Sequence, residues 1–418
     1  MRGPRIYAPR AFKIPEIETI TLPNGLRLYY LDGGSSNTVK FEWSFRSGRS
    51  SEKILLASKM CHSLMKEGTL SSTGYEVAEH FDFYGSSLNQ SAGVDYSSCS
   101  FFCLGQYFEP LLEKLLEVVT TPSFPEHELE ILKSNSIAKL NQDLDDADFV
   151  AYRILTEAAF GTLHPYGYNS TESLIRQVQR EDIIQHYNIN YLNTNGFVMV
   201  SGDLSEKRRA FIESLLSSCR LDVVPVMDPP SSPDVYRFYL EDKKQGKNQC
   251  SFKLGQRCIQ RDYPDYNAFF VFNALLGGYF NARLSKVIRE QKGLTYNIYS
   301  THDTYLYDGM FYISAETSWQ NLAPLQKEVY RQLDVMLQKP VPKAELERVR
   351  AYLMGLLITS FDGVFTCADT FRSCLAEGVS FDSLQGLIDT VAEISPQEVW
   401  DRSVSHVDIN NLIEIVIG

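Results

Sequence analysis

Two stretches set 217 residues apart carry the same pattern, and that repetition limits what the chain can fold into more than any other feature. "FPEHELEIL", with Glu128-Leu129-Glu130, matches "VPKAELERV", with Glu345-Leu346-Glu347. An apolar-periodic helix precedes each one ("FEPLLEKLLEVVTTP", "LAPLQKEVYRQLDVMLQKP") and another follows it ("LKSNSIAKL", "VRAYLMGLL"). The ends correspond as well: "GFVMVSG" closes the first copy and "IEIVIG" the second, with Gly202 opposite Gly418 at an offset of 216. A shared offset at separated landmarks implies one domain of roughly 200 residues used twice, not a solenoid of short repeats.

The break between the copies is "LDVVPVMDPPSSPDV", which holds four prolines and reads as an extended linker. The expected organisation is a domain over 1–220, a linker over 221–235 and a second domain over 236–418. Within the first copy, "GLRLYYL", "TVKFEWSF", "DYSSCSFFCLG" and "GFVMVSG" are rich in β-branched and aromatic residues and read as strands. Amphipathic helices at 3.6-residue periodicity lie between them. Such a mixture predicts an α+β class: two homologous sandwiches, each a sheet covered by helices on one face.

Composition removes several function classes. A net charge of -12 argues against a nucleic-acid groove or an anionic membrane surface as the main partner. Taken by itself, the acidic balance would favour basic peptides as ligands. The start, "MRGPRIYAPRAFKIPEIETI", has no apolar core of a secretory signal, and no apolar run approaches a membrane span. The expectation is therefore a cytoplasmic protein, barring a leader already removed. Eight cysteines occur without a C-x-x-C pair, so they read as buried reduced thiols.

The stretch "SEKILLASKMCHSLMKEGT" reads as an amphipathic helix closing at Gly68. On a helical wheel Ile54, Ala57, Cys61, Leu64 and Met65 form the apolar stripe, and Lys59, His62, Ser63 and Lys66 share the polar face. Zinc needs three protein ligands; this face offers one imidazole beside ammonium groups. His62 is thus expected to be a solvated or hydrogen-bonded surface histidine. None of the seven histidines has another at i, i+4, the usual spacing of a helical zinc clamp.

Several motifs together resemble one family. "TLPNGLRLYYLDG", "KEGT", "YGSSLNQSAGVDYSS", "PSFPEHELE" and "LHPYGYNSTESL" resemble the first domain of M16 (pitrilysin-type) zinc peptidases, and "LLGGYFNARLSKVIREQKGLTYNIYS" the second. The resemblance runs nearly end to end. It implies two LuxS/MPP-like domains in a clam-shell arrangement around a substrate chamber. The family's inverted zinc motif, H-x-x-E-H, would place its histidines at Lys59 and Ser63 and its general base at His62, with a third ligand near Lys139. None of these positions carries the expected residue, so the resemblance implies no metal or other cofactor in this chain.

What the resemblance keeps is an arginine and a tyrosine seven apart in "IREQKGLTY", Arg289 and Tyr296. In the family such a pair reaches the scissile region of a peptide, and both side chains are donors suited to a carbonyl gaining negative charge. Read from the residues alone, Arg289 pairs with Glu290 or another carboxylate and Tyr296 packs on a sheet. Gly277 and Gly278 read as a helix end in the left-handed conformation. The implied function is the non-zinc subunit of a heteromeric M16 peptidase. It would bind extended peptide by strand addition and lend Arg289 and Tyr296 to a partner subunit that carries zinc. A homodimer, or a purely structural M16-like protein, is the competing expectation.

Overall fold

The structure is a computed structural model that describes residues 10–34, 37–224, 237–243 and 246–418. Most of the expected linker, residues 225–235, lies outside the described residues.

The first half builds its sheet from β1 (Glu18–Thr21), β2 (Arg27–Asp32), β3 (Thr38–Phe45), β4 (Asn89–Ala92), β5 (Ser97–Leu104) and β6 (Phe197–Gly202), in the order β1-β2-β6-β3-β5-β4. In the second half β7 (Phe238–Asp242), β8 (Gln249–Cys258), β9 (Asn297–Thr304), β10 (Gly309–Ser318) and β11 (Ile413–Ile417) follow the order β7-β11-β8-β10-β9. Without the added hairpin strand β1, the two orders are the same. Each sheet has one parallel pair at the same place, β2 with β6 and β7 with β11, among otherwise antiparallel neighbours. The duplication read from scattered motifs is therefore a duplication of topology.

Strand alternation sorts side chains between two cores. In β2, Leu28 and Tyr30 enter the first half's own core, while Tyr29 and Leu31 point the other way. In β6, Val198 and Val200 go inward and Phe197 and Met199 outward. Those outward residues are still buried, which is why the strands read as almost continuous apolar runs. What covers them is the helix Val364–Ala376 of the second half, through Cys367, Ala368, Phe371 and Cys374. The arrangement is reciprocal. Met310, Tyr312, Ile413 and Ile415 on the outer face of the second sheet pack against Ala151, Leu155 and Phe160 of the helix Ala147–Phe160 from the first half.

The exchanged helices begin at Ala147 and Val364, so they are repeat equivalents at the original 217-residue offset. Within each half, the expectation of helices on one face holds. The second face is covered by the other half, which sequence periodicity cannot show. Full burial of one such side chain is worth about 1.5–3 kcal/mol, and the seam contains many, so the halves hold each other shut. Polar ties reinforce it: Lys40 to Asp369 at 2.6 Å, and Tyr166 to Asp95 at 2.8 Å with the Leu306 amide 3.0 Å from the same carboxylate.

Among the described residues no single helix is long and apolar enough to cross a membrane. All eight cysteines are free, and all but Cys258 are buried.

Candidate functional site

The helix on which the resemblance places the zinc motif runs Ala57–Leu64 and continues as one tighter turn, Met65–Glu67. It starts later than its periodicity suggests because Leu56 adopts a left-handed backbone, φ 70°. Such a conformation costs a non-glycine residue on the order of 1–3 kcal/mol. Glu52 supports it by accepting hydrogen bonds from the amides of Leu56 (3.2 Å) and Ser58 (2.9 Å), while the Tyr168 hydroxyl donates to the same carboxylate at 2.6 Å. This carboxylate serves the helix N-terminus in place of a cap.

Lys59 and Ser63, one helical turn apart, face a cavity of about 580 Å³ whose opposite wall is the helix Glu126–Asp143, including Asn135 and Lys139. Three of the four positions that the resemblance assigns to the zinc machinery thus come together. His62 does not join them, and this corrects the surface reading. Its side chain is buried, with Nε2 2.9 Å from the Ser98 carbonyl oxygen and Nδ1 3.1 Å from the Tyr191 hydroxyl. A carbonyl can only accept, so Nε2 carries the proton and Nδ1 accepts from Tyr191. Burial, first of all, pushes the imidazole down to about 4. The wheel fails here because the helix is covered on two sides, by its own core and by β5 with Tyr191. Within Ala57–Leu64 only the narrow strip of Lys59 and Ser63 is left open.

The donor set of the cavity does not suit a metal. Arg49, Lys59, Lys139 and Arg153 line it against one carboxylate, Asp143. Among the described residues no three His, Cys, Asp or Glu side chains assemble as a cation site. The lining is positive although the chain as a whole carries -12, opposite in sign to what the bulk charge suggests. Sequence reading missed Arg49 and Arg153 because they belong to no motif; they come from a short turn before the helix and from the exchanged helix Ala147–Phe160.

Arg289 lies in a seven-residue π-helical segment, Ser285–Gln291, and Tyr296 immediately precedes β9. The two halves of the bland reading part company here. Arg289 does contact Glu290 at 3.1 Å, donates to the Phe280 carbonyl at 3.2 Å, and lies 3.8 Å from the centre of the Phe280 ring. Tyr296, in contrast, is 94% exposed and packs on no sheet, and Phe280 beside the arginine is 70% exposed. Every residue lining the cavity belongs to the first half, so neither Arg289 nor Tyr296 reaches it within one chain.

Gly277 follows the end of the helix Tyr266–Leu276, as expected, but not in a left-handed conformation, since its φ is -154°. The glycine is needed for space: a Cβ would come 2.5 Å from the Ser300 amide nitrogen.

A family model described as the M16 peptidase inactive domain matches residues 177–353, from the end of the first half through most of the second. An uncharacterized zinc protease of Bacillus subtilis, YmxG, is 23% identical over 350 residues, covering 83% of this chain and 85% of the relative. A Helicobacter pylori protein named as a non-peptidase homologue, also YmxG, is 23% identical over 90% of this chain and 88% of its own length. Among solved structures, a peptidase M16 inactive domain from Pseudomonas fluorescens superposes with a TM-score of 0.87 at 21% identity, over 96% of this chain and 98% of that one. A protease from Helicobacter pylori gives 0.84 at 16% identity, over 97% and 99%.

Proposed function

Since the chain belongs to the M16 peptidase family and is of its inactive, M16-like type, we propose that it serves as the non-zinc subunit of a heteromeric M16 peptidase. In this reading it binds an extended peptide, and Arg289 and Tyr296 donate to the substrate backbone beside the zinc of a partner subunit. The observation that carries the reading is the exposure of Tyr296. A 94% exposed tyrosine, seven residues after an arginine that stacks on a 70% exposed phenylalanine, buries almost nothing in the fold of its own chain. Buried against a partner and a substrate, such groups become effective donors, because removing water strengthens each hydrogen bond. The edge strands β4 and β9 offer places for peptide to add as a further strand, and Tyr296 stands at the entry to β9.

A second reading is that the chain is a structural M16-like protein, in keeping with a Helicobacter relative named as a non-peptidase homologue. Its support is that Arg289 is already engaged by Glu290 and Phe280. Affinity purification from the native cell separates the two. A stoichiometric partner with H-x-x-E-H supports the peptidase subunit; recovery of the chain alone, or in a large unrelated assembly, supports the structural reading.

A further inference from the structure

The cavity lined by Lys59, Ser63 and Lys139 is built to attract a negative charge. Arg49 and Arg153 flank it, and among the described residues neither guanidinium forms a salt bridge. Arg49 donates to the Tyr168 carbonyl and stacks 3.9 Å from the Tyr168 ring centre, while its Nε is buried without a hydrogen-bond partner. Arg153 donates to the Ser170 carbonyl at 2.8 Å, with the Phe149 ring 5.4 Å away. Burial holds the Arg153 guanidinium below its ordinary value, and Arg49 adds to this against the opposing pull of Glu157. Lys59 is exposed in the cavity lining with no salt-bridge partner among the described residues, where Lys139 has only a 3.4 Å contact with Asp143. Two partly buried guanidiniums facing one space, with a donor left over, form a costly arrangement unless an anion completes it.

The rest of the cavity defines the anion. Leu56, Met60, Leu132, Leu140 and Ile175 provide an apolar wall. A volume of about 580 Å³ lies in the range of pockets that enclose a small ligand or a few peptide residues. Guanidinium forks match the two oxygens of a carboxylate. We propose that this cavity is a subsite for a peptide carboxylate next to an apolar side chain, either the C-terminal carboxylate or an acidic residue. The inference rests on the peptide-binding reading above but needs neither zinc nor the arginine–tyrosine pair.

The test uses the full chain, in whatever assembly it purifies, and four fluorescein-labelled hexapeptides of one apolar sequence. One ends in a free acid and one in an amide; the other two are amides with glutamate or glutamine before the last residue. Fluorescence anisotropy at low and high salt gives their affinities. Binding about tenfold tighter for the free acid than for its amide assigns the C-terminal carboxylate; the same preference for glutamate over glutamine assigns the side chain. Either preference must shrink with salt and vanish in Lys59→Glu, a change at an exposed position with no salt bridge among the described residues. Arg153→Gln must abolish it as well. A preference untouched by Lys59→Glu and Arg153→Gln overturns the site. Equal binding of all four peptides overturns it too while leaving peptide binding standing, and binding of none overturns both.

Discussion

The ammonium group of Lys253, buried in β8 of the second sheet, lies 2.6 Å from Oδ1 of Asp148 in the first turn of the helix donated by the first half. The Ser314 hydroxyl, 2.8 Å away, is a further partner of the ammonium, and Ser251 donates to the same carboxylate oxygen at 2.8 Å. This cluster joins the two halves at the seam, where each covers the other's sheet.

Removing one partner strands the other charge. Asp148→Ala is expected to destabilise the chain by about 3 kcal/mol, the low end for breaking a buried pair because Asp148 is partly exposed. Lys253→Met together with Asp148→Ala should recover most of that loss. Urea unfolding of the two single variants and the double variant checks this; additive losses would show that the pair is not coupled.

Acid should weaken the fold through histidines held neutral. His62, His186 and His302 are each pushed down to about 4, with burial as the first cause. An unfolded imidazole titrates near 6.5, so between about 6.5 and about 4 the unfolded chain binds protons that the native chain refuses. Stability therefore falls as pH falls through that window, by about 2 kcal/mol per histidine at pH 5. Glu52 and Asp95, held above the usual carboxylate range by burial, act in the opposite direction. The clean measurement is thus the stability gap between the wild type and His62→Gln. It should shrink by about 2 kcal/mol between pH 7.5 and pH 5.

Tyr296 and Arg289 should matter to activity and not to folding. Tyr296→Ala is expected to leave stability within about 0.5 kcal/mol, because the side chain is 94% exposed. In an assembly with a zinc-bearing partner, Arg289→Ala should lower kcat/KM about 10²-fold without dissolving the complex. Melting curves, size-exclusion chromatography and peptide turnover, measured together, test both statements. Unchanged turnover would remove the pair's proposed role.

Rebuilding the metal ligands should restore metal binding but not chemistry. Lys59→His, Ser63→His and Lys139→Glu would place three ligands around the cavity that the wild-type residues already line. The triple variant should retain zinc on dialysis, measured by atomic absorption, where the wild type does not. Adding His62→Glu should fail to produce a peptidase, because that side chain points at Ser98 and Tyr191 and not into the cavity. Such a buried carboxylate should instead lower the melting temperature.

Local pattern carried a good part of the fold. "TVKFEWSF" is β3 to the residue, and Val39, Phe41, Trp43 and Phe45 alternate into the core as period-two reading requires. Helical spacing puts Lys59 and Ser63 on one polar face with His62 and Lys66, and Lys59 and Ser63 do line the cavity. His62 was misplaced because its environment is made by Tyr191, 129 residues later in the chain. Arg49 and Arg153 went unseen for the same reason: no motif joins a turn residue to a helix a hundred positions on.

The sequence by itself determined that one domain is used twice, which strands and helices compose much of it, and that Lys59, Ser63 and Lys139 are not zinc-ligand residue types. These follow from local periodicity and from residue identity at matched offsets. Tertiary structure alone decided that each half lends a helix to the other's sheet, that His62 faces inward, and that four cations share one cavity. Those facts depend on which surfaces meet, and burial, charge and hydrogen bonding between distant residues exist only once the chain has brought them together.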